Sequence, residues 1–185
     1  MDTKQATRLS KYLSLHLRHK PAAIGLTLQD GGWVGVEELL AACAAHGTAI
    51  SLDELTEVVA GSDKQRFAFS EDGTRIRAQQ GHSVEVDLQL TPATPPAVLY
   101  HGTAPAALPA IKRDGLQKMS RHHVHLSPDE ETARRVGARR GQPIILMVDA
   151  AGLHAAGSVF YESGNGVWLV DAVPPQYLGN WPSGI

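Results

Sequence analysis

The chain of 185 residues lacks several features that define common classes of protein. It has one cysteine, Cys43, so it cannot form an internal disulfide bond. No apolar run approaches the roughly 20 residues that cross a bilayer. The N-terminus also lacks the apolar core of a signal peptide. These absences argue against a disulfide scaffold and a helical membrane protein, and they predict a cytoplasmic protein with no membrane partner.

Lysine and arginine are missing from two long stretches, residues 21–63 and 141–185. The 17 cations fall into three windows instead, five in residues 1–20, four in 64–77 and eight in 112–140. The formal net charge is −2. If folding brings these windows together, they form a local anion site on an otherwise neutral or acidic body. This segregation favours a phosphate-bearing ligand held at a defined place over a generally basic nucleic-acid coat.

Several catalytic patterns are missing as well. No Ser-His-Asp series stands out, and only three carboxylates follow residue 131, so a glycosidase-like carboxylate pair has little support. His123 and His125 would share one face of a strand, next to His122. No carboxylate or cysteine lies near them to complete a metal site. We therefore predict a protein that uses no metal.

The first half of the chain predicts three helices. The first has an apolar stripe made of Leu9, Leu13 and Leu17. Pro21 ends this helix, because proline cannot continue one. A second helix is predicted over residues 36–46. A third begins at Ser51, where Glu54 completes a capping box.

A β-hairpin follows the third helix. Phe67–Phe69 and Arg75–Ala78 flank the turn sequence Asp72-Gly73, and this pattern is a strong hairpin signal. Three helices followed by two strands is the element order of a winged-helix module. Three prolines in residues 90–96 then predict a domain boundary. The predicted domains are residues 1–90 and 97–185.

The second domain is predicted to be a β-rich α+β domain. Its strands are predicted at residues 98–100, 124–126, 144–148, 159–161 and 167–170. His101, Gly102 and Thr103 lie between the first of these strands and a predicted helix, and such a turn can receive a phosphate or ribose. Ser127 is predicted to cap the next helix, with Glu130 completing a capping box.

Cations in special local contexts are candidate ligand-binding residues. Arg18 and His19 end the first helix, and a guanidinium beside an imidazole can grip a phosphate. Arg66 enters the hairpin, and Arg139 ends a helix of the second domain. Gly81, between Gln80 and His82, permits close approach of the backbone to a ligand. Cations at helix ends also complement the helix dipole, so each position has an ordinary structural explanation too.

Seven segments, taken in order, carry a family resemblance. They are Leu9-Ser10-Lys11 with Leu17-Arg18-His19, then residues 63–67, 76–83, 100–103, 124–127, 136–139 and 165–169. Together they resemble the RNA 2′-phosphotransferases of the KptA family, over about residues 8–181. The resemblance implies a winged-helix N-terminal lobe and a C-terminal lobe of ADP-ribosyltransferase type.

The resemblance also implies a reaction. An internal 2′-phosphate is removed from RNA, such as that at a tRNA splice junction, with NAD⁺ as co-substrate. The 2′-phosphate attacks C1″ of the nicotinamide ribose and expels nicotinamide. The ribose O2″ of the ADP-ribosylated RNA then attacks phosphorus. The products are RNA with a 2′-OH and ADP-ribose 1″,2″-cyclic phosphate.

Site residues follow from the same resemblance. The family's catalytic Arg-His-Arg-Arg set falls on Arg18, His19, Arg66 and Arg139. Arg140 is the adjacent alternative to the last of these. The residues implied in NAD binding are His101, Gly102, Thr103, His125 and Ser127. Those implied in binding 2′-phosphorylated RNA are Arg18, Lys64, Arg66, Gln80, His82 and Arg139. A monomer without a metal is the expectation.

Three other functions stay open on the sequence. One is a non-catalytic winged-helix protein that binds nucleic acid, although the third helix lacks the cations that such modules carry on a recognition helix. Another is a protein ADP-ribosyltransferase, a class that commonly uses a glutamate to activate the acceptor. The third is ADP-ribosylation of 5′-phosphate ends of RNA or DNA, which the same pocket could serve.

Overall fold

A computed structural model describes residues 1–62, 65–138 and 141–182. Over these residues the chain combines helices and sheets as an α+β protein. It divides into two compact units, Met1–Gln89 and Leu90–Ile185. Each unit has a hydrophobic core of its own. None of the described helices has the length and apolar character needed to cross a membrane.

The helices predicted in the N-terminal unit are confirmed. They are α1 (Thr3–Arg18), α2 (Val36–Ala45) and α3 (Leu52–Ala60). The apolar stripe of α1 is buried and forms much of the core. Ser51 caps α3, and the reciprocal bonds between Ser51 and Glu54 make a complete capping box. These elements follow local signals, which the sequence carries within a few residues.

The predicted hairpin is confirmed and belongs to a three-stranded sheet. The strands are β1 (Trp33–Gly35), β2 (Phe67–Phe69) and β3 (Arg75–Ala78). They are antiparallel in the order β1-β3-β2. Val34 and Ile76 are register partners and are fully buried. Since side chains alternate along a strand, Trp33 and Arg77 lie on the opposite face.

The C-terminal unit contains eight further strands and three helices among the described residues. They are β4 (Val98–Thr103), α4 (Leu108–Asp114), β5 (Leu116–Gln117), β6 (Val124–Leu126), α5 (Glu130–Gly137), β7 (Ile144–Asp149), α6 (Ala150–Ala155), β8 (Phe160–Glu162), β9 (Trp168–Val170), β10 (Ala172–Val173) and β11 (Leu178–Gly179). The antiparallel sheets have the orders β11-β7-β4, β6-β9-β8 and β10-β5. The core lies between elements of the first two sheets.

Two local predictions in this unit are wrong. The strand predicted at residues 98–100 continues to Thr103, because six residues of β4 pair with β7. His101, Gly102 and Thr103 are therefore strand residues and do not form a turn into a helix. Ser127 does not cap α5; it exchanges backbone hydrogen bonds of 2.8 and 2.9 Å with Tyr100.

The helix α5 begins two residues later than predicted. Its N-cap is Asp129, whose Oδ1 accepts a hydrogen bond of 2.7 Å from the backbone N–H of Thr132. The free backbone N–H groups at a helix start donate to any side-chain oxygen that is suitably placed. The backbone of Ser127 pairs with Tyr100, and the side chain that accepts at the start of α5 is that of Asp129.

Candidate active site

The structure brings together two of the predicted catalytic residues, Arg18 and Arg66. The guanidinium of Arg18 donates through Nη2 to the backbone carbonyl oxygen of Arg66, at 3.3 Å. Its Cζ also lies 5.9 Å from the centroid of the Phe67 ring. These contacts join the last residue of α1 to the start of β2, 48 positions along the chain. Both arginines are half-buried.

Arg66 is held from two directions. Its backbone carbonyl also accepts a hydrogen bond of 3.0 Å from the N–H of Gln79, which follows β3. Its side chain donates through Nη1 to Ser62 Oγ at 3.3 Å, just beyond the end of α3. The guanidinium of Arg66 is thus positioned by the hairpin and by the end of a helix. Such positioning lowers the entropy lost when a side chain binds a ligand.

His19 is positioned by a residue that the sequence-based site set omitted. Its Nδ1 lies 2.9 Å from Ser83 Oγ. The backbone N–H of Ser83 donates to the carbonyl oxygen of Arg18 at 2.9 Å, and that of Val84 to the same oxygen at 3.4 Å. The segment after β3 therefore holds the end of α1. Ser83 directly follows Gln80, Gly81 and His82, which are candidate ligand-contacting residues, and its position beside them is the sequence feature that could have predicted its role.

The other residues predicted to bind RNA have different positions. Gln80 is half-buried. His82 is completely buried, and a Cβ atom added at Gly32 would lie 3.0 Å from His82 Nε2. The side chain of His82 thus packs against the turn before β1, and a direct contact with RNA would require it to become exposed. Lys64 and Arg139, with Arg140, lie outside the described residues.

In the C-terminal unit, His101 is hydrogen-bonded to the strand that carries His125. Its Nδ1 donates to the carbonyl oxygen of His125 at 3.0 Å. Burial lowers the pKa of His101, and Arg121 lowers it further, while the bond to the His125 carbonyl opposes both effects. The imidazole of His101 is therefore neutral at pH 7 with its proton on Nδ1. In this tautomer, Nε2 is a hydrogen-bond acceptor.

The imidazole of His125 has its own positioning contact. Arg121 donates through Nη1 to His125 Nδ1 at 3.3 Å. A ring nitrogen that accepts a hydrogen bond carries no proton, so the neutral ring has its proton on Nε2. His101 and His125 thus offer opposite polarities at Nε2, one an acceptor and the other a donor.

Gly102 brings its backbone close to another part of the protein. A Cβ atom at this position would lie 2.3 Å from the carbonyl oxygen of Ala133 and 3.2 Å from the Cα of Gly137, both on α5. The glycine is thus required where β4 crosses α5. The neighbouring Thr103 is buried. Tyr100 and Ser127 pair directly beside these residues, so the five predicted cofactor-binding residues lie along adjoining parts of β4 and β6.

Within residues 1–62, 65–138 and 141–182, no group of three or more His, Cys, Asp or Glu side chains could hold a metal ion. His123 instead contacts the ring of Tyr161 edge-on, with 5.4 Å between the centroids. Burial lowers the pKa of His123, and the neighbouring His122 lowers it further.

Comparison with known proteins identifies the family. The profile described as RNA 2′-phosphotransferase, Tpt1 / KptA family matches residues 4–172. A probable RNA 2′-phosphotransferase of Streptomyces griseus is 59% identical over 185 residues, which cover 96% of this chain and 98% of that protein. Proteins of the same description from Herpetosiphon aurantiacus and Trichormus variabilis are 60% and 58% identical over 178 residues, with the same coverage. The chain therefore belongs to the RNA 2′-phosphotransferase family.

Proposed function

We propose that this protein is an NAD-dependent RNA 2′-phosphotransferase that removes an internal 2′-phosphate from RNA. The observation that carries the proposal is the contact between Arg18, which precedes His19 in the chain, and Arg66, with the His19 ring held by Ser83. In this proposal the N-terminal unit is a winged-helix lobe that binds the 2′-phosphate. The C-terminal unit is a lobe of ADP-ribosyltransferase type that binds NAD⁺. We expect the enzyme to act in the cytoplasm as a monomer.

The residue types suit the two proposed steps. In the first, an oxygen of the 2′-phosphate forms a bond to C1″ as the bond to the nicotinamide nitrogen breaks. The nucleophile is already an anion, so the protein needs no activated serine or cysteine. In the second, O2″ attacks phosphorus, and the RNA 2′-oxygen leaves and takes up a proton. Negative charge on the phosphoryl oxygens is then stabilised by guanidinium groups, as in other phosphoryl transfers.

The contacts of the N-terminal residues support the roles that we propose for them. Arg18 and Arg66 provide the guanidinium groups, and Arg139 is the third in this proposal. The contact between His19 Nδ1 and Ser83 Oγ fixes the plane of the ring. With Nδ1 engaged by Ser83, Nε2 is the nitrogen that we assign to donate a hydrogen bond to the phosphate. Ordering the ring before the ligand binds lowers the entropic cost of binding.

An assay with defined substrates tests the proposed function. The protein is incubated with NAD⁺ and a short RNA that carries one internal 2′-phosphate, with excess EDTA in a parallel sample. We expect 2′-OH RNA, nicotinamide and ADP-ribose 1″,2″-cyclic phosphate in both samples. No product without added metal, and product once Mg²⁺ or Zn²⁺ is supplied, would refute the metal-free mechanism. ADP-ribosylation of a 5′-phosphate end without any 2′-phosphate removal would assign the alternative activity.

Replacement of His101 tests the assignment of the two units. His101→Ala is expected to raise the KM for NAD⁺ severalfold and up to roughly tenfold, because one hydrogen bond typically contributes about 0.5–1.5 kcal/mol. Binding of 2′-phosphorylated RNA is expected to stay nearly intact. The matched control is His46→Ala, which removes an exposed histidine at the end of α2. An equal loss of RNA binding in His101→Ala would place this residue in the RNA site or in the support of the fold.

A further inference from the structure

The three-stranded sheet of the N-terminal unit carries an aromatic ring between two arginines on its outer face. Trp33 on β1 is the direct register partner of Arg77 on β3, and Arg75 lies two residues earlier on the same strand. Side chains two apart on a strand share a face, so the three form one group, here called the Trp33 face. The opposite face of the same strands packs into the core through Val34 and Ile76.

The guanidinium groups contact the indole. The Cζ of Arg77 lies 4.5 Å from the centroid of the Trp33 ring, and that of Arg75 lies 5.3 Å from it. These are cation–π distances, and Arg77 is partly desolvated by the contact. Burial accordingly lowers the pKa of Arg77.

These two arginines have no carboxylate at ion-pair distance in the described part of the chain. Neither forms an ion pair there. Arg77 donates from Nη1 to the carbonyl oxygen of Gly31 at 3.4 Å, and its buried Nε has no hydrogen-bond partner. The carboxylate of Asp72 accepts hydrogen bonds from Ser70 and Thr74, and the charge of Arg75 acts on it more weakly, without an ion-pair contact. A half-buried cation without a counter-ion is costly, and an anionic ligand would offset that cost.

The spacing of the arginines matches a nucleic-acid strand. Alternate residues on a strand are about 6.8 Å apart, which is comparable to the separation of successive phosphates along an extended strand. The row also leads to the proposed catalytic cluster. Gln79 lies two residues beyond Arg77, and its backbone N–H bonds to the carbonyl oxygen of Arg66. Continued beyond β3, the alternation of Arg75, Arg77 and Gln79 thus leads to the backbone of Arg66.

We infer that the Trp33 face binds the RNA strand that flanks the 2′-phosphate. Arg75 and Arg77 contact successive backbone phosphates, and a base stacks on the planar guanidinium and indole groups. Arginine and tryptophan are the side chains that best combine these two interactions. The inference rests on the proposed function for the position of the 2′-phosphate. It adds that the enzyme recognises nucleotides beyond the phosphorylated one.

The test compares binding of two RNAs in the absence of NAD⁺. One is a dinucleotide with an internal 2′-phosphate, and the other carries the same group within ten nucleotides. Arg75→Ala is the main variant, since Arg75 is exposed. The matched control is Arg8→Ala, which removes one exposed arginine from α1 of the same unit. Fluorescence anisotropy gives Kd at several salt concentrations.

Arg75→Ala is expected to weaken binding of the longer RNA about fivefold at 0.1 M salt and to reduce the slope of log Kd against log salt by about 0.7, the value for one contact to single-stranded phosphate. Binding of the dinucleotide is expected to be unchanged. Arg77→Lys, which keeps the charge but loses the planar group, is expected to weaken binding of the longer RNA as well. Unfolding curves that match the wild type show that either effect is on binding.

Two outcomes separate the inference from the proposed function. If Arg75→Ala and Arg8→Ala affect the longer RNA equally, or if the dinucleotide loses as much affinity as the longer RNA, the inference is overturned. If the wild-type protein binds both RNAs no better than their forms without the 2′-phosphate, the proposed function is in error. In that case, the slope of log Kd against log salt is compared between wild type and Arg75→Ala on unphosphorylated RNA, and this comparison still tests whether the Trp33 face binds RNA.

Discussion

Replacing Arg66 with alanine is expected to slow breakdown of the ADP-ribosylated RNA roughly a hundredfold to a thousandfold, so that this intermediate accumulates. Loss of one preorganised donor to a transition state costs about 3–4 kcal/mol, and each 1.36 kcal/mol is about tenfold in rate. The first step needs a positioned anion, and strong contacts to its oxygens would weaken it as a nucleophile. The second step concentrates charge on the phosphoryl oxygens, so it suffers more.

The geometry makes Arg66→Ala a clean substitution. Arg18 donates to the backbone carbonyl of Arg66, and this bond survives when the side chain is removed. The control is Ser62→Ala, which removes only the hydroxyl that accepts from Arg66 Nη1. We expect this control to change the rate severalfold at most. Arg66→Lys is expected to rescue poorly, because an ammonium is a point charge and lacks the planar fork.

Single-turnover reactions that resolve substrate, intermediate and product are the measurement. Arg18→Ala and Arg139→Ala are expected to behave in the same direction as Arg66→Ala, with the clearest accumulation at Arg66 or Arg139. If all three variants slow formation of the intermediate as much as its breakdown, and none accumulates it, the assignment of the arginines to the second step is wrong.

Gly102→Ala is expected to destabilise the protein by about 3 kcal/mol, the upper part of the usual range for overpacking. The added Cβ would lie 2.3 Å from the carbonyl oxygen of Ala133. The atom that it meets belongs to the backbone of α5 and cannot rotate away as a side chain could. The strand β4 must therefore move away from α5, and the bonds that place His101 would move with it. Thermal and denaturant unfolding measure the loss.

The same sheet offers a matched control for this substitution. Gly179 lies on β11, and a Cβ atom there would have no neighbour within 4 Å. Gly179→Ala also adds one methyl group to a strand, so any effect common to glycine substitution in strands appears in both variants. We expect Gly179→Ala to change the free energy of unfolding by less than about 1 kcal/mol. Equal stability of the two variants would mean that β4 and α5 separate at little cost.

The elements that could be predicted from the sequence are those whose signals are local. The leucines of the α1 stripe recur about once per helical turn. The capping box of α3 spans four residues, and the hairpin of β2 and β3 is built around one turn. Each element forms where its signal lies, because its hydrogen bonds and buried faces come from neighbouring residues. The resemblance, which depends on the order of short segments along the whole chain, was sufficient for the family.

Contacts between residues that are far apart in the sequence are visible in the tertiary structure alone. Arg18 and Arg66 are 48 positions apart, and the contact between them depends on the packing of α1 against the sheet. The position of Ser83 beside His19 has the same origin. Pairing with β7 extends β4 through His101, and pairing with Tyr100 removes Ser127 from the start of α5. In the last two cases a long-range hydrogen bond overrides a local preference, because a backbone group without a partner costs more free energy than an unfavourable local choice.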